Sequence, residues 1–249
     1  MKKLMAVPLL LLFCAFGQFQ LGQRSFSSHS GGFSPIAPIN SANAATEQCG
    51  GGTCTTAPAN MSGATLLTVS VAAYLCPGSS SNVTDSNGNV YSQAVNQSNY
   101  PAICLYYKCG ATVGPSMTFS VATPGGYATG FAVDGYSNVK ASSCADGVAS
   151  ISGSCCGAAS PVNTGTVTPS VDNDVCVAVG MGDTSSSPVV LFTTPLQSFT
   201  TLDQVSNGTD YSVFTGYFVQ TTAATLSTTF TSSAGGSSFS SALQCFLHV

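Results

Sequence analysis

The sequence carries little charge, and this scarcity excludes several classes of function. Of its 249 residues, 5 are Lys or Arg, 9 are Asp or Glu and 2 are His. After residue 24 the only basic side chains are Lys108 and Lys140. Because proteins neutralise nucleic-acid phosphates with clustered Lys and Arg, nucleic acid is excluded as a partner. The same scarcity leaves few groups for acid–base catalysis.

The few histidines and carboxylates do not form a catalytic set. His29 lies in a polar segment near the N-terminus and His248 is the penultimate residue, so neither is placed as the general base of a Ser/His/Asp triad. Asp172 and Asp174 are the closest carboxylate pair and could divide acid and base roles. Before a strand, Ser-Val-Asp-Asn-Asp is explained more simply as a turn. The sequence therefore predicts no enzyme and no cofactor.

The N-terminus predicts export. Lys2 and Lys3 precede an apolar run from Leu4 to Phe16, and small residues follow it, as in a signal peptide over residues 1–17. Lipidation of Cys14 is the alternative for this segment. The run is shorter than the about 20 residues that a spanning helix needs. Since no later stretch approaches that length, we expect a secreted protein, extracellular or at the cell surface, that does not span a membrane.

The cysteines predict disulfides. Without Cys14, ten remain, and an even number in an exported chain indicates pairing. Cys49 and Cys54 can close a small glycine-rich loop, whereas Cys104 and Cys109 can pair with each other only if the chain turns between them. No C-x-x-C occurs and no His lies among the cysteines, which disfavours zinc. The ten are Cys49, Cys54, Cys76, Cys104, Cys109, Cys144, Cys155, Cys156, Cys176 and Cys245.

A hydrophobic period of two recurs from Ala64 onward and predicts half-buried strands, as in Leu67, Val69 and Val71. Turn residues separate these runs, and no segment has a convincing helical period. No repeat occurs at a solenoid or propeller period. The sequence therefore predicts an all-β fold, a single antiparallel two-sheet β-sandwich of jelly-roll or Ig-like type, stapled by disulfides.

Composition divides the chain into three parts. Residues 1–17 are the predicted signal peptide, and residues 18–45, rich in Gln, Ser, Pro and Ala, are predicted to be a linker or extended N-terminal arm. Residues 46–249 are predicted to form the β-sandwich domain. Within it, the Ser/Gly/Ala-rich stretch 140–170 breaks the alternation and is predicted to be a cysteine-rich loop.

The stretch from Thr84 to Tyr91 is the most distinctive motif. Asp85 can accept backbone N–H groups, and Asn87-Gly88 tolerates positive φ at both centres of a tight turn, so the motif predicts a β-hairpin. A calcium site is the alternative, because Asp85, Asn87 and Asn89 place oxygens on alternate residues. The bidentate acid of a calcium loop is missing.

Segments around this turn form a longer pattern: Val83–Tyr91, the strand Ala102–Lys108, Met117–Thr123 and Gly130–Ser137, with Phe239–Phe246 as a final strand. The pattern resembles a loosely defined group of secreted bacterial and phage-associated β-sandwich modules with an Asp-Ser-x-Gly-Asn-x-Tyr turn and a Tyr-Ser-Gly-Val-like corner. Here the corner is Tyr136-Ser137-Asn138-Val139, with Asn in place of Gly. The resemblance implies a β-sandwich and carries no catalytic residues.

These features predict a secreted, non-catalytic structural or adhesive protein of the cell surface or of an extracellular assembly. A hydroxyl-rich surface with little charge produces little electrostatic repulsion between molecules. The expected partners are therefore copies of the chain or other surface proteins. A glycan-binding, lectin-like module is the alternative, although Trp is absent. Its sugar-stacking candidates are Tyr100, Tyr106, Tyr107, Tyr127, Tyr136, Tyr211 and Tyr217.

Overall fold

The prediction of an all-β protein is confirmed by a computed structural model of the chain. The structure describes residues 34–46, 52–97, 102–123, 129–153, 161–183, 199–206, 211–231 and 239–249, all within one compact unit, Ser34–Val249. These residues form fifteen strands and one turn of 3₁₀-helix, Ser80–Asn82. In this part of the chain, no helix has the length and apolar character needed to cross a membrane.

The strands are β1 (Pro38–Thr46), β2 (Thr53–Thr55), β3 (Leu66–Ala73), β4 (Val83–Asp85), β5 (Ser92–Gln97), β6 (Ala102–Cys109), β7 (Phe119–Ala122), β8 (Thr129–Tyr136), β9 (Ala145–Gly153), β10 (Pro161–Asn163), β11 (Asp174–Asp183), β12 (Thr200–Ser206), β13 (Tyr211–Gln220), β14 (Thr229–Thr231) and β15 (Phe239–Phe246).

The described strands form four antiparallel sheets, so a single two-sheet sandwich is not confirmed for the whole chain. The N-terminal main sheet has the order β1-β8-β3-β6-β5, and the C-terminal main sheet has the order β9-β15-β11-β13-β12. Two smaller sheets, β2-β7-β4 and β10-β14, are named here the N-terminal and C-terminal cover sheets.

Three hydrophobic cores separate these sheets into layers. The central core lies between the two main sheets and includes Leu66, Ile103 and Tyr136 from one and Val177 and Phe246 from the other. The outer core of the N-terminal half lies between its main and cover sheets. The outer core of the C-terminal half is placed in the same way. Each main sheet is therefore covered on both faces.

The two halves share one strand order. Reading along the main sheets, β1, β8, β3, β6 and β5 correspond to β9, β15, β11, β13 and β12. The contacts between the sheets are reciprocal, because β3 lies against β13 while β6 lies against β11, and β1 lies against β12 while β5 lies against β9. The chain is thus built as two similar halves related by an approximate twofold axis.

Hydrogen bonds within the two cover sheets, beside the β2–β7 and β10–β14 pairs, repeat in the two halves. The N–H of Thr56 donates to the Phe119 carbonyl at 2.9 Å, and the Thr56 hydroxyl accepts the Phe119 N–H at 3.1 Å. Thr164 forms the same pair of bonds with Thr228, at 2.9 and 3.1 Å. The similarity of the halves therefore extends beyond strand order to side-chain detail.

Strands occur in two segments for which the sequence predicted none. β1 occupies the end of the predicted arm 18–45 and pairs with β8 from Pro38 opposite Tyr136 to Thr46 opposite Thr129. β9 and β10 lie in the predicted cysteine-rich loop 140–170. Both β1 and β9 are edge strands rich in Ala, Ser, Asn or Gly. Their few large apolar side chains, Ile39 in β1 and Val148 and Ile151 in β9, do not recur at every second position, so no alternation is visible.

The disulfide prediction is confirmed for the cysteines that the structure pairs. Cys76 bonds to Cys104, Cys109 to Cys144 and Cys176 to Cys245, and Cys54 is also disulfide-bonded. Cys104 and Cys109 therefore bond to different partners and not to each other. Cys49, Cys155 and Cys156 lie outside the described residues.

Candidate functional site

Residues 137–144 connect the two halves and are called the linker from here on; they are distinct from the N-terminal segment 18–45. This linker forms one wall of a cavity. The linker runs from the end of β8 to β9 and is held by the C-terminal segment, since Lys140 N–H donates to the Leu247 carbonyl at 2.9 Å and Leu247 N–H donates to the Cys144 carbonyl at 2.7 Å. The cavity, called here the linker pocket, has a volume of about 360 Å³. Its lining includes Lys108, Tyr107, Ser92, Ser142, Ser143 and the Cys109–Cys144 disulfide.

The backbone around the linker pocket is tightly constrained. Ser143 has φ +48°, a left-handed conformation that costs a non-glycine residue about 1–3 kcal/mol. Gly110 has φ +58°, and a Cβ atom there would lie 2.5 Å from the Ala141 carbonyl oxygen. Glycine is required at this position because the linker approaches the end of β6 so closely. The Cys109–Cys144 disulfide closes the same contact covalently.

Asn138 explains the altered corner of the sequence motif. Its φ is +59°, the left-handed region in which Asn is more readily accommodated than most residues. Its side-chain amide donates to the Pro35 carbonyl at 2.8 Å. Asn138 therefore adopts the conformation expected of the corner glycine. Its side chain also connects the segment before β1 to the linker by a hydrogen bond.

The calcium candidates form a closed hydrogen-bonded turn. The Asp85 carboxylate accepts the N–H of Asn87 at 2.9 Å, the N–H and side-chain amide of Asn89 at 3.2 and 2.8 Å, and the Tyr91 hydroxyl at 2.6 Å. The amides of Asn87 and Asn89 both donate to the Thr112 carbonyl. The Asp85 oxygens that would bind calcium thus already accept protein donors. No group of three His, Cys, Asp or Glu among the described residues could hold a metal.

The β-hairpin prediction for this turn is wrong. β4 pairs with β7 in the cover sheet, whereas β5 pairs with β6 in the main sheet, so the turn connects two sheets. Only Gly88, with φ +74°, has the positive φ that was expected at both turn centres. The turn carries the chain from one layer to the next and is fixed by side-chain bonds to Asp85 rather than by a strand ladder.

The carboxylate pair suggested by the sequence is replaced by a different one. Asp172 accepts the N–H of Ala223 at 2.6 Å, as expected for a turn residue. Asp174 instead shares a hydrogen bond with Asp146, and burial together with that bond raises the pKa of Asp174 to about 7, while the His248 N–H opposes the rise. Sequence analysis missed this pair because its members are 28 positions apart and no local pattern joins them.

Below a pH of about 7 the Asp146–Asp174 pair holds one proton, on Asp174. Burial raises the pKa of Asp146, but hydrogen bonds from Asp174 and from the N–H and hydroxyl of Ser170 outweigh burial and leave that pKa below its ordinary value. Asp174 has no exposed surface. The pair therefore joins β9 to β11 and does not present two carboxyl groups to a substrate.

The other sequence candidates lie in several environments. Tyr106 and Tyr136 are buried, and Tyr107 and Tyr217 pack edge-on against Phe246 and Tyr136. Tyr100, Tyr127 and the side chain of Tyr211 lie outside what the structure describes. A stacking face of exposed tyrosines is not formed by the four described rings. The His248 ring nitrogen Nε2 lies 2.9 Å from the Ser34 carbonyl oxygen.

A buried polar cluster lies between the main sheets. Asp134 is fully buried, and neither carboxyl oxygen makes a hydrogen bond of good geometry with the described residues, although the Thr215 hydroxyl is close enough to act on it. The hydroxyls of Thr68, Ser70 and Tyr136 in the same sheet, and of Thr215 in the facing sheet, likewise make no such bond. Burial raises the pKa of Asp134 to about 7, with a smaller opposing effect of Thr215 and a small rise from Asp203.

Comparisons of the chain with protein families, curated proteins and solved structures found no significant match.

Proposed function

We propose that the chain is a secreted, non-catalytic structural or adhesive protein of the cell surface or of an extracellular assembly. Each half is proposed to be a two-layer sandwich of its own, made of a main sheet and a cover sheet. Three disulfides join cysteines within the chain, which is consistent with an extracellular location. The paired sandwiches would present their sheet edges to neighbouring molecules.

The observation that carries this proposal is the composition of the sheet edges. The main sheets end in β1, β5, β9 and β12, and these four strands contain no Lys, Arg or Glu. Natural proteins commonly protect edge strands with charged side chains, Lys above all. The two carboxylates present are already engaged, since Asp203 accepts the Asn43 amide at 2.9 Å and Asp146 pairs with Asp174.

β9 is the edge best suited to pairing with another molecule. It is nine residues long, and Val148 and Ile151 are 49% and 41% exposed. Strand addition there would bury these side chains and add backbone hydrogen bonds along this edge. Because neither contribution depends on charge, association should be almost insensitive to salt.

Light scattering of the mature chain at low salt and at about 1 M salt, where charges are screened beyond ~3 Å, tests the proposal. We expect oligomers under both conditions. Ile151→Lys should shift them towards monomer because a charge now lies on the edge strand. Val171→Lys is the matched control, since Val171 is 44% exposed and lies outside the strands. A monomer at every concentration, with tight binding to one glycan class, would instead favour the lectin-like alternative.

A further inference from the structure

The positive charge of the described chain is gathered around the linker. From residue 45 onward the sequence has nine acidic residues and two basic ones, Lys108 and Lys140. Lys108 lies near the end of β6 and lines the linker pocket. Lys140 lies in the linker itself and lines a neighbouring groove with His248 and Val249. An anionic ligand that approaches this acidic molecule therefore meets its cations here.

The lining of the linker pocket combines Lys108 with several hydroxyl groups, beside the apolar Val90 and Ala141. Ser92 on β5 and Ser142 and Ser143 in the linker are exposed and line the pocket, and half-buried Tyr107 lies beside them. None of the lining residues is acidic, and the structure gives Lys108 no carboxylate partner among the described residues. A serine hydroxyl both donates and accepts, whereas Lys only donates. This set matches a ligand with one carboxylate and several hydroxyl groups.

The pocket is also held in shape before any ligand arrives. The strained backbone of Ser143, the close approach at Gly110 and the Cys109–Cys144 disulfide all fix the wall formed by the linker. Strained non-glycine residues persist where their surroundings determine them, and they concentrate at ligand sites. A preformed wall lowers the entropy lost on binding.

We propose that the linker pocket binds an acidic monosaccharide unit, a uronic acid, with its carboxylate on Lys108 and its ring hydroxyls on the three serines. The volume of about 360 Å³ lies at the small end of ligand sites, which suits one sugar ring rather than a long chain. A polyanion is disfavoured because only one cation lines the pocket and the rest of the molecule is acidic. The inference goes beyond the proposed function, since a protein that never self-associates could still bind a sugar here.

Saturation-transfer NMR on the mature, oxidised protein tests the inference, with glucuronate and galacturonate as probes and glucose as the neutral comparison. We expect at least one uronate to bind, with an affinity about tenfold or more above that of glucose, since a charge-assisted contact is lost in the neutral sugar. Lys108→Gln should weaken uronate binding about tenfold and leave glucose unaffected. Lys140→Gln, which removes the same charge outside the pocket, should change affinity less than about twofold.

Three results would overturn the inference: no uronate binding, equal binding of glucose, or unchanged binding by Lys108→Gln. Circular dichroism of each variant shows whether it is folded. Because exposed Ser142 lies in the pocket wall, Ser142→Ala provides a second variant and should weaken uronate binding without affecting the fold. The light-scattering result is read separately, so failure of sugar binding leaves the proposed assembly function to its own test.

Discussion

Among the single residues, Asp134 is a fully buried carboxyl group in the central core whose ionised form is disfavoured. Its carboxyl group faces the opposite main sheet and makes no hydrogen bond of good geometry with the described residues. Apart from the Thr215 hydroxyl, the groups that act on it are the carboxylate of Asp203 and the phenol of Tyr136, and neither is a cation. An ionised carboxylate in such a place is strongly disfavoured, so the folded protein retains the proton to a pH of about 7.

This retained proton predicts that the protein is more stable in acid than in base. The unfolded carboxyl loses its proton near its ordinary pKa of 3.8, whereas the folded one keeps it to about 7. The contribution to stability is therefore full below pH 3.8 and is lost as pH rises through 7. Asp174 acts in the same direction. We expect Asp134→Asn to flatten this fall and to stabilise the protein at about pH 8 by up to roughly 4 kcal/mol.

Urea unfolding at about pH 4 and pH 8 measures the effect. Asp172→Asn is the control, because exposed Asp172 lies in a turn outside the central core. If Asp134→Asn shows the same fall in stability with pH as the wild type, Asp134 is not the group responsible.

Gly88 allows a prediction about the turn at Asp85. Nothing lies within 4 Å of a Cβ atom added at Gly88, so a substitution there is opposed only by φ +74°. Gly88→Val should therefore lower the free energy of unfolding by about 1–3 kcal/mol. Gly88→Asn should cost less, because Asn tolerates this conformation. Equal costs in urea unfolding would show that backbone strain is not the cause.

The same turn predicts indifference to calcium. Since the Asp85 oxygens accept four protein donors, we expect calcium or EDTA to leave the melting temperature unchanged. Differential scanning calorimetry with each additive measures this. A rise of several degrees with calcium would restore the metal-site alternative.

Among the elements, β1 is a strand held mainly by its backbone. It pairs with β8 along its length, yet apart from Ile39 its side chains are small, and none of those described is buried. Ala42 and Ala44 pack against the outer core of the N-terminal half, and Asn43 bonds to Asp203 on β12. The strand thus forms one edge of the N-terminal main sheet, and its Asn43 side chain connects this sheet to the other main sheet by a hydrogen bond.

Two truncations separate the role of β1 from that of the residues before it. A chain starting at Ser34 keeps β1 and should be as stable as the mature chain. A chain starting at Glu47 loses β1, so β8 loses its partner and we expect faster hydrogen exchange in β8 and a lower melting temperature. If both truncations behave alike, β1 does not stabilise the sheet, and the segment fits the predicted arm better.

Which strands could be predicted from the sequence depended on their place in the sheet. β3 and β11 carry apolar side chains at every second position of one face, and β15 does so except at Ser241, so these three strands are predictable from the sequence. The alternation was interpreted as half-burial, but Thr68 and Ser70 of β3 are fully buried against the other half. No local pattern shows that a second sheet covers these hydroxyls. The linker pocket was missed for the same reason, since it forms only when Lys108 and Ser142 meet across the fold.

At the scale of the whole molecule, the cysteines should all be oxidised. Every described cysteine is disulfide-bonded, and ten cysteines remain if Cys14 is removed with the predicted signal peptide. Titration of denatured, unreduced protein should detect no more than trace thiol, whereas two or more thiols per chain would contradict five disulfides. Reduction should destabilise the protein strongly, since one native disulfide contributes about 2–5 kcal/mol in small secreted domains.

Because the two similar halves lie in one chain, their equivalent positions can carry different residues. In a dimer of identical subunits every substitution appears twice, so a buried acid at the interface would be present in both subunits. β8 and β15 are corresponding strands, and their last residues, Tyr136 and Phe246, both lie in the central core. Two residues before these ends, β8 has Asp134 and β15 has Gln244. Both halves belong to one polypeptide. One half can therefore keep a buried carboxyl group at a position where the other half has an amide. Because the halves are covalently joined, they also stay together when the protein is diluted.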